Sequence, residues 1–418
     1  MPDVYIIGSF MTPFQRWPNK DHRKLAREAI SGVIDDAGLT DGLGVEQTYF
    51  GSCLMQHSGQ TMVTGQVCLL SLMEEGVLPE RMPIFNVEGA CATGSVAMHL
   101  ARNDILTGST DLALAIGVEK MFDPTNPRAA LHQIEGAMDQ FDRQRWIAAY
   151  RDAAEVAGFE WAPSPNRSLA MDTYGIQAAL HMQKYGTTRE QIALAAAKSH
   201  NHGSLNPKAQ YQFRMTPEKV LSDRHVSGPL TRAMCAPIGD GAAAALLCSE
   251  RHLRKLPKSV QERAVRIRAT AVSGGKFRSF DEPGLSRIAG DKAYAISKLS
   301  PDDIDLAEVH DATSFSEIFQ AEMLRFCAPG KGGEYVSSGA TALDGARPMN
   351  TSGGLVSKGH PIAATGLSMV NEIVTQIRGE AGERQVKNAN IGLLENGGGV
   401  LGMEEAICVV AILEGTRA

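Results

Sequence analysis

Gly89-Ala90-Cys91-Ala92-Thr93-Gly94-Ser95 joins a strand-like run to a run of helical periodicity. The apolar residues from Val96 to Ile105 recur at the spacing of one helix face, and Gly108 ends the predicted helix. Small neighbours leave space for a substrate at the sulfur of Cys91, and a helix N-terminus is expected to lower the pKa of its thiol. The stretch therefore predicts an α/β unit that presents a nucleophile. The alternative is a cysteine that only packs in the core.

A second glycine-rich stretch, residues 350–366, has the same organisation much later in the chain. It contains Gly359-His360-Pro361, and helical periodicity then continues as far as Gly379. A buried strand is expected at residues 391–394. Because this block repeats the loop, helix and strand of the first one, the sequence predicts an internal duplication. His360 is the candidate general base for Cys91.

Two further candidate sites follow strand-like runs. His310-Asp311 comes after the apolar residues 304–309, at the carboxyl end of a predicted strand, where open α/β sheets bind their ligands. The alternative for His310 is a core histidine that hydrogen-bonds a backbone carbonyl. Glu395-Asn396-Gly397-Gly398-Gly399 follows the last predicted strand, and its backbone N–H groups can approach a ligand without hindrance from Cβ atoms. A plain tight turn is the alternative there.

Taken in order, these blocks resemble the thiolase superfamily, most closely its sterol-carrier-protein-type thiolases and thiolase-like lipid-transfer proteins. The resemblance covers nearly the whole chain and includes two more motifs, Gly117-Val118-Glu119-Lys120-Met121 and Gly239-Asp240-Gly241-Ala242-Ala243-Ala244. It implies an α/β fold, a duplicated thiolase fold that forms a five-layer α-β-α-β-α sandwich with a helical loop domain inserted in the first half. A homodimer or a dimer of dimers is the implied assembly.

The resemblance also implies acyl transfer on coenzyme A thioesters, as in acetyl-CoA acetyltransferases of lipid metabolism, with no covalently bound cofactor and no metal. Cys91 would be acylated, and His360 would take its proton. His310 would help to form an oxyanion hole, while the backbone N–H groups of Cys91 and Gly397 would form a second one. Scattered cations are candidates for the phosphates of coenzyme A, although none is assigned: Lys20, Arg23, Lys24, Arg214, Arg224 and Arg232.

The chain departs from the family at the second cysteine, which moves a proton between enzyme and substrate Cα. The two positions where relatives carry this cysteine are Glu395 and Ala312 here. Formation or cleavage of a carbon–carbon bond then needs a substitute. Glu395 is the candidate, since a buried carboxyl group can have a raised pKa. The alternative is a salt-bridged or helix-facing Glu395 without a role in proton transfer.

The order of sequence patterns predicts a duplication with one insertion. Residues 1–119 and 235–260 are assigned to the N-terminal half, residues 120–234 to a loop domain over the pocket, and residues 261–418 to the C-terminal half. The insertion is rich in Met, His, Asn, Pro and Arg and carries predicted helices at 144–156 and 171–185. No low-complexity linker separates the halves, so one compact body is expected.

Composition limits the function without specifying it. A net charge of −6 over 418 residues provides no general attraction to nucleic acid or to anionic membranes. The seven cysteines lack CxxC spacing, which argues against a disulfide framework or a zinc site. We find no 18-residue apolar run, no basic-then-apolar leader after Met1-Pro2 and no peroxisomal tripeptide at Thr416-Arg417-Ala418, and we predict a cytoplasmic protein.

Three functions remain open from the sequence. The first is acyl-CoA-dependent acyl transfer through an acyl-Cys91 intermediate. The second is an acyl-CoA or lipid-binding subunit without turnover, and the third is retro-aldol cleavage of a hydroxyacyl-CoA in partnership with a small zinc-ribbon protein. The presence of Cys91, His310 and His360 favours an enzyme, because a nucleophile with its base and oxyanion donors has little structural rationale.

Overall fold

The computed structural model of this chain describes residues 3–126, 129–164 and 167–416. Predictions that rest on Met1, Pro2, Arg417 and Ala418 lie outside these residues. The strands are β1 Val4–Met11, β2 Gln47–Gly51, β3 Ile84–Val87, β4 Leu112–Glu119, β5 His225–Ser227, β6 Leu230–Thr231, β7 Gly241–Ser249, β8 Val265–Gly274, β9 Leu306–Val309, β10 Ile391–Gly398 and β11 Ile407–Gly415.

The helices alternate with the strands from β1 to β4, but this alternation does not continue through the second half of the chain. They are α1 His22–Asp36, α2 Thr64–Glu74, α3 Thr93–Thr107, α4 Ala129–Gln133, α5 Arg143–Val156, α6 Leu169–Tyr185, α7 Arg189–Gly203, α8 Pro217–Leu221, α9 Glu250–Leu253, α10 Lys258–Arg263, α11 Leu285–Ser297, α12 Ser314–Met323, α13 Gly332–Ser337, α14 Gly354–Lys358 and α15 Thr365–Arg378. No helix in the described ranges is both long and apolar enough to cross a bilayer.

One mixed sheet of nine strands runs through the molecule in the order β3-β2-β4-β7-β1-β8-β11-β10-β9. Its two halves meet where β1 pairs with β8, and this junction has only two residue pairs, Tyr5 with Arg266 and Ile6 with Val265. Each half has parallel strands at its outer edge and antiparallel strands towards the junction. The duplication predicted from the sequence is therefore visible as two related half-sheets that are connected only through the short pairing of β1 with β8.

Helices form three layers around these half-sheets. α3 and α15 lie between the half-sheets and contribute Met98 and Val370 to a buried cluster that contacts both. α1 and α2 cover the outer face of the first half-sheet, with Leu25 and Leu69 in its core. α11 covers the outer face of the second, and Ala289 is buried there. This order of layers is the predicted α-β-α-β-α sandwich, and the predicted fold class is confirmed.

Glycine residues allow the elements of the first half to approach the loop before α15 closely. A Cβ atom on Gly94 would lie 2.8 Å from the Ala363 carbonyl oxygen, and one on Gly117 would lie 2.0 Å from the same atom. Both α3 and α15 continue directly from a 3-10 turn, Ala90–Ala92 in the first repeat and Ile362–Ala364 in the second. The two loops that precede α3 and α15 therefore contact each other at the same end of the half-sheets.

The second half departs from the five-stranded unit that the duplication implies. Within the described residues it has four strands, β8 to β11, against five in the first half. At the edge where β3 lies in the first half, Met349 makes one parallel bridge to Ala307. Pro348 precedes it and lacks the N–H group that a longer strand would need.

The last strand is predicted to end at residue 394, but β10 continues from residue 391 through Gly398, so the alternative of a plain tight turn at residues 395–399 is wrong. Glu395 pairs with Val410 of β11, and Gly398 pairs with Ile407. The glycines are here strand residues that allow a close approach from the neighbouring layer, which the sequence pattern does not distinguish from turn glycines.

The inserted segment forms helices α4 to α8 and the small ribbon of β5 and β6. Helices α5 and α6 correspond to the predicted helices at 144–156 and 171–185. Trp146, Tyr150 and Trp161 form an aromatic cluster that fixes the start of this segment. The boundaries at residues 119, 234 and 260 stay a prediction.

Candidate active site

Cys91 lies in the 3-10 turn that links β3 to α3. Thr93 fixes this turn, since its hydroxyl accepts a hydrogen bond from the Gly89 N–H at 2.9 Å and donates one to the Ala90 carbonyl at 2.7 Å. Ala90 holds a φ of +48°, a left-handed conformation that costs an L-residue about 1–2 kcal/mol. The turn thus holds the half-buried Cys91 thiol at the wall of a cavity.

His360 faces Cys91 from the second repeat, with 3.3 Å between His360 Nε2 and Cys91 Sγ. Its other ring nitrogen, Nδ1, lies 2.7 Å from the Thr365 hydroxyl. That hydroxyl donates its hydrogen to the Pro361 carbonyl at 3.0 Å, so it accepts from Nδ1–H. Nε2 is therefore the unprotonated nitrogen and can accept the proton of the thiol.

The pKa values of this pair differ from the sequence-based expectation. Burial raises the pKa of the Cys91 thiol to about 12, and the negative charges of Glu405 and Glu119 act in the same direction. Burial also lowers the pKa of His360 well below its usual range, with the charges of His310 and Lys358 adding to the effect. The expectation of a lowered thiol pKa is wrong, because desolvation of the buried sulfur is the largest effect and it raises the pKa. Both shifts favour the neutral thiol and the neutral imidazole.

His310 follows β9 and lies beside His360, with 5.3 Å between the ring centroids. The side chain is 1% exposed and lines the cavity, and neither ring nitrogen has a hydrogen-bond partner among the described residues. Burial lowers its pKa to about 4, so the ring is neutral and keeps one N–H group. An unpaired buried N–H group that faces a cavity can donate to a substrate oxygen.

The cavity has a volume of about 640 Å³ and lies between the two halves and the inserted segment. Cys91, His310 and His360 line it together, and Tyr174 of α6 forms part of its wall. The ring of Tyr174 meets that of His310 edge-on at 6.5 Å. Apolar side chains from the insertion complete the lining: Met121, Leu131, Ile134, Met138, Met171 and Val226.

Cationic side chains lie around this cavity. Arg167 and Arg232 line it but are paired with Asp172 and Asp223. Arg16 and Arg224 also line it, are exposed, and have no acidic partner within the described part of the chain. Of the six cations proposed from the sequence, two line the cavity, Arg224 and Arg232.

Glu395 is buried next to the site but does not line the cavity. Its Oε2 accepts the backbone N–H of His310 at 3.1 Å, and its Oε1 accepts the Cys408 thiol at 3.3 Å. Burial raises the pKa of Glu395 to about 8, and the charge of Glu405 adds to this shift. The alternative of a salt-bridged or helix-facing carboxylate does not describe these contacts, since the partners are a backbone amide and a thiol.

Gly398, and not Gly397, packs against the 3-10 turn at Ala90–Ala92, which we call the nucleophile turn because it carries the candidate nucleophile Cys91. A Cβ atom at Gly398 would lie 2.2 Å from the Gly89 carbonyl oxygen and 2.9 Å from the Cys91 nitrogen. Gly398 and Gly399 line the cavity, whereas the Cα of Gly397 faces the side chain of Glu405. The oxyanion role of the Gly397 N–H group stays a prediction.

The two remaining family motifs are structural anchors. The Glu119 carboxylate is fully buried and accepts the N–H groups of Cys53, Leu54 and Ala363. It thereby ties the first half to the turn before α15. The Asp240 carboxylate accepts the N–H groups of Trp17, Met121 and Phe122 and pairs with Lys120 at 2.6 Å.

Thr365, Tyr174 and Glu405 were not found from the sequence. A signal for Thr365 exists, because Ala-Thr-Gly occurs at the start of both central helices, as Ala92-Thr93-Gly94 and Ala364-Thr365-Gly366. Each threonine fixes the reactive loop before its helix. Tyr174 and Glu405 carry no such local pattern, since only the tertiary fold brings them to Cys91.

Comparisons with known proteins agree with this architecture. A family model described as "Thiolase, N-terminal domain" matches residues 4–226, and one described as "Thiolase C-terminal domain-like" matches residues 283–412. The chain is 35% identical to an acetyl-CoA acetyltransferase of Methanothermobacter thermautotrophicus, over 96% of this chain and 98% of that protein. It is 34% identical to sterol carrier protein 2 of Bos taurus, over 94% of this chain and 69% of that protein.

Solved structures show the same fold at lower identity. A structure described as "Ltp2-ChsH2(DUF35) aldolase" matches with a TM-score of 0.77 and 23% identity, over 99% of this chain and 98% of that one. An acetyl-CoA acetyltransferase from Syntrophomonas wolfei matches with a TM-score of 0.68 and 19% identity, over the full length of both chains.

Proposed function

Because the chain belongs to the thiolase family, we propose that it is an acyltransferase that acts on coenzyme A thioesters through an acyl-Cys91 intermediate. The observation that carries this proposal is the 3.3 Å contact between Cys91 Sγ and His360 Nε2 at the wall of a 640 Å³ cavity. Relatives at 30–35% identity named acetyl-CoA acetyltransferase support the same activity.

In the acylation step the Cys91 sulfur attacks the thioester carbonyl carbon. His360 Nε2 takes the thiol proton as the sulfur–carbon bond forms, since the thiol is neutral beforehand. The tetrahedral intermediate then collapses, the bond to the coenzyme A sulfur breaks, and His360 returns the proton to that sulfur. The products are acyl-Cys91 and free coenzyme A, with no net change in protonation.

His310 supplies the N–H group that stabilises the negative charge on the thioester oxygen. Its support is a buried side chain that faces the cavity and whose two ring nitrogens have no hydrogen-bond partner among the residues that the structure describes. Loss of one oxyanion donor costs about 3–4 kcal/mol in the transition state. The backbone N–H of Cys91 is proposed as part of the second oxyanion hole, with the N–H of Gly397.

Glu395 is proposed to take part in proton transfer at the Cα of a bound thioester, in place of the absent second cysteine. Its support is a pKa raised to about 8, which lets the group exchange a proton near neutral pH. Because its carboxyl group contacts His310 N–H and does not line the cavity, a bound water must carry the proton between Glu395 and substrate.

Arg16 and Arg224 are proposed to bind the phosphates of coenzyme A. They are exposed cavity residues without an acidic partner in the described ranges, so a phosphate can pair with them without displacing another charge. Their position supports entry of the thioester from the side of the inserted segment.

Retro-aldol cleavage with a partner protein is the second candidate function. The absence of the second cysteine favours it, and the structural neighbour described as "Ltp2-ChsH2(DUF35) aldolase" is compatible with it. A binding subunit without turnover is the third. Both alternatives leave Cys91 without an acylated state.

A homodimer is proposed through the edge strand β3. This strand ends the sheet, and the apolar side chains of Phe85, Leu70, Met62 and Val63 are exposed around it. Exposed strand edges with apolar side chains favour pairing with a second strand.

A cytoplasmic location is proposed because the seven free cysteines suit a reducing compartment.

A rapid-mixing experiment with acetyl-CoA and no acceptor tests the proposed function. We expect a burst of free coenzyme A, one equivalent per chain, detected with a thiol reagent. Cys91→Ala should abolish the burst, and Cys53→Ala is the matched control, since this thiol packs on the same turn without contacting His360. No burst in the native protein, or an equal burst in Cys91→Ala, would overturn the proposal.

A further inference from the structure

Cys91, His310 and His360 place one sulfur and two imidazole nitrogens within 4.8 Å of one another. The three side chains come from separate elements: the nucleophile turn, the end of β9 and the loop before α15. Thiolate and imidazole are ligands that Zn²⁺ prefers in proteins. We propose that these three residues bind a zinc ion, and that bound zinc switches the nucleophile off.

The geometry fits a tetrahedral ion. With Zn–S near 2.3 Å and Zn–N near 2.0–2.1 Å, neighbouring ligand atoms in a tetrahedron lie roughly 3.4–3.6 Å apart. Cys91 Sγ and His360 Nε2 already lie 3.3 Å apart. The largest separation in the group is within 4.8 Å, so His310 needs a shift of roughly 1 Å to complete the set.

His310 is the third potential zinc ligand, in addition to the pair of Cys91 and His360. Both of its ring nitrogens are buried without a partner in the described part of the chain, so metal binding breaks no hydrogen bond there. A bound metal would give one of these buried nitrogens a partner, which the described residues do not provide. Metal-binding histidines commonly donate their second N–H to an oxygen, and Thr365 already accepts Nδ1–H of His360.

The binding step exchanges a proton for the metal. Zn²⁺ and the Cys91 thiol give a zinc thiolate and one proton released to solvent, with no change in oxidation state. Both imidazoles bind in the neutral form. The fourth position faces the cavity and takes a water molecule. Acylation stops because the sulfur lone pair and His360 Nε2 are both held by the metal.

Spectroscopic titration with Co²⁺ tests the site on the full chain after treatment with a chelator. We expect one Co²⁺ per chain, with the visible bands of a tetrahedral site and a thiolate-to-metal charge-transfer band, and displacement of both by Zn²⁺. Cys91→Ser should remove the charge-transfer band. His310→Gln, similar in size but without the imidazole, should weaken Co²⁺ binding at least about tenfold. The Cys327→Ala control, at a thiol that does not line the cavity, should bind like the native protein.

A parallel measurement follows formation of acyl-Cys91 from acetyl-CoA. One equivalent of Zn²⁺ should block it, and a chelator should restore it. Absence of a charge-transfer band, or Co²⁺ binding that Cys91→Ser and His310→Gln leave unchanged, would overturn the zinc proposal whether or not the protein is acylated. The spectra do not depend on turnover, so this outcome is separate from failure of the proposed acyl transfer.

Discussion

Thr365 fixes the orientation of the His360 imidazole. Its hydroxyl accepts Nδ1–H at 2.7 Å and donates to the Pro361 carbonyl, which leaves Nε2 free to take the proton of Cys91. Because burial raises the pKa of the thiol to about 12, the protein does not hold a preformed thiolate. In the proposed acylation the rate depends on the orientation of Nε2 towards the thiol, and we expect Thr365 to act as a positioning residue.

Removal of the hydroxyl at position 365 should slow acylation without removing the base. We expect Thr365→Val to lower the single-turnover rate of acyl-Cys91 formation about 10- to 100-fold, the usual effect of losing such an orienting contact. Thr365→Ser keeps the hydroxyl and should restore most of the rate. If Thr365→Val and Thr365→Ser are equally fast, the tautomer is not controlled by this contact.

Substitution of His360 and of His310 should affect different steps of the proposed reaction. His360→Ala should lose acylation, because no other group accepts the thiol proton, with a decrease of about 100-fold or more. His310→Ala should keep slow acylation and lose any step that passes through an enolate, where the oxyanion contact matters most. Single-turnover acylation measures the first effect. Equal decreases for both variants would contradict this division.

The carboxyl group of Glu395 gives a pH-dependent prediction. A base acts in its ionised form, so a pKa of about 8 means that hydrogen exchange at the Cα of acetyl-CoA rises with pH through about 8 and then levels off. Glu395→Gln should keep acyl-Cys91 and lose exchange from deuterated solvent, measured by mass spectrometry. Glu405→Gln removes the neighbouring negative charge and should move the midpoint to lower pH. Exchange that survives in Glu395→Gln would remove this residue from the mechanism.

At the scale of elements, β10 and the nucleophile turn depend on each other. Gly398 leaves no space for a side chain, with the Gly89 carbonyl oxygen 2.2 Å and the Cys91 nitrogen 2.9 Å from the position of a Cβ atom. Ser95 at the start of α3 adds a 2.9 Å hydrogen bond to Asn396 of the same strand. A displaced strand would therefore move the sulfur.

A methyl group at position 398 should disturb the nucleophile more than the fold. We expect Gly398→Ala to reduce acylation at least about 100-fold, since misplacement of a reacting group by 1 Å has an effect of this size. Gly274→Ala is the matched control, because it lies on a strand of the same sheet and a Cβ atom there meets nothing within 4 Å. Native acylation in Gly398→Ala, with an unchanged melting temperature, would contradict the packing argument.

The sequence predicted the central helices well. Helices α3 and α15 are capped by Gly108 and Gly379, the glycines at which the apolar periodicity was expected to end. The prediction failed at residues 395–398 because glycine is common both in turns and where backbones touch. The raised thiol pKa of Cys91 also escaped sequence reasoning, since desolvation is a property of the assembled site. Glu405 lies in the connection between β10 and β11 and meets Gly397 only in the fold.

At the scale of the whole molecule, the cavity needs all parts of the chain. Arg16 comes from the first half, Arg224 from the inserted segment, and His360 from the second half. Although the net charge of the chain is −6, Arg16 and Arg224 form a local cationic rim of the cavity, which composition could not predict. The motif order in the sequence identified the duplicated fold correctly, whereas the sequence did not predict that the described residues of the second half form only four strands, an effect of Pro348 and local geometry.

Arg224→Ala tests the cationic rim. Loss of a charge-assisted contact to a phosphate, about 1.5–3 kcal/mol, should raise KM for acetyl-CoA about 10- to 100-fold with little change in kcat. The same variant should handle acetyl-pantetheine like the native protein, because that thioester lacks the nucleotide phosphates. Arg254→Ala, at an exposed arginine paired with Glu250, is the control. An equal effect on both thioesters would place Arg224 outside the coenzyme A site.

Intact-protein mass spectrometry after incubation with acetyl-CoA tests the central claim most directly. The account predicts a gain of one acetyl group per chain, located on Cys91 by peptide mapping, present in Cys53→Ala and absent in Cys91→Ala. A native protein that binds coenzyme A without gaining mass, or a Cys91→Ala variant that gains the same mass, would contradict it.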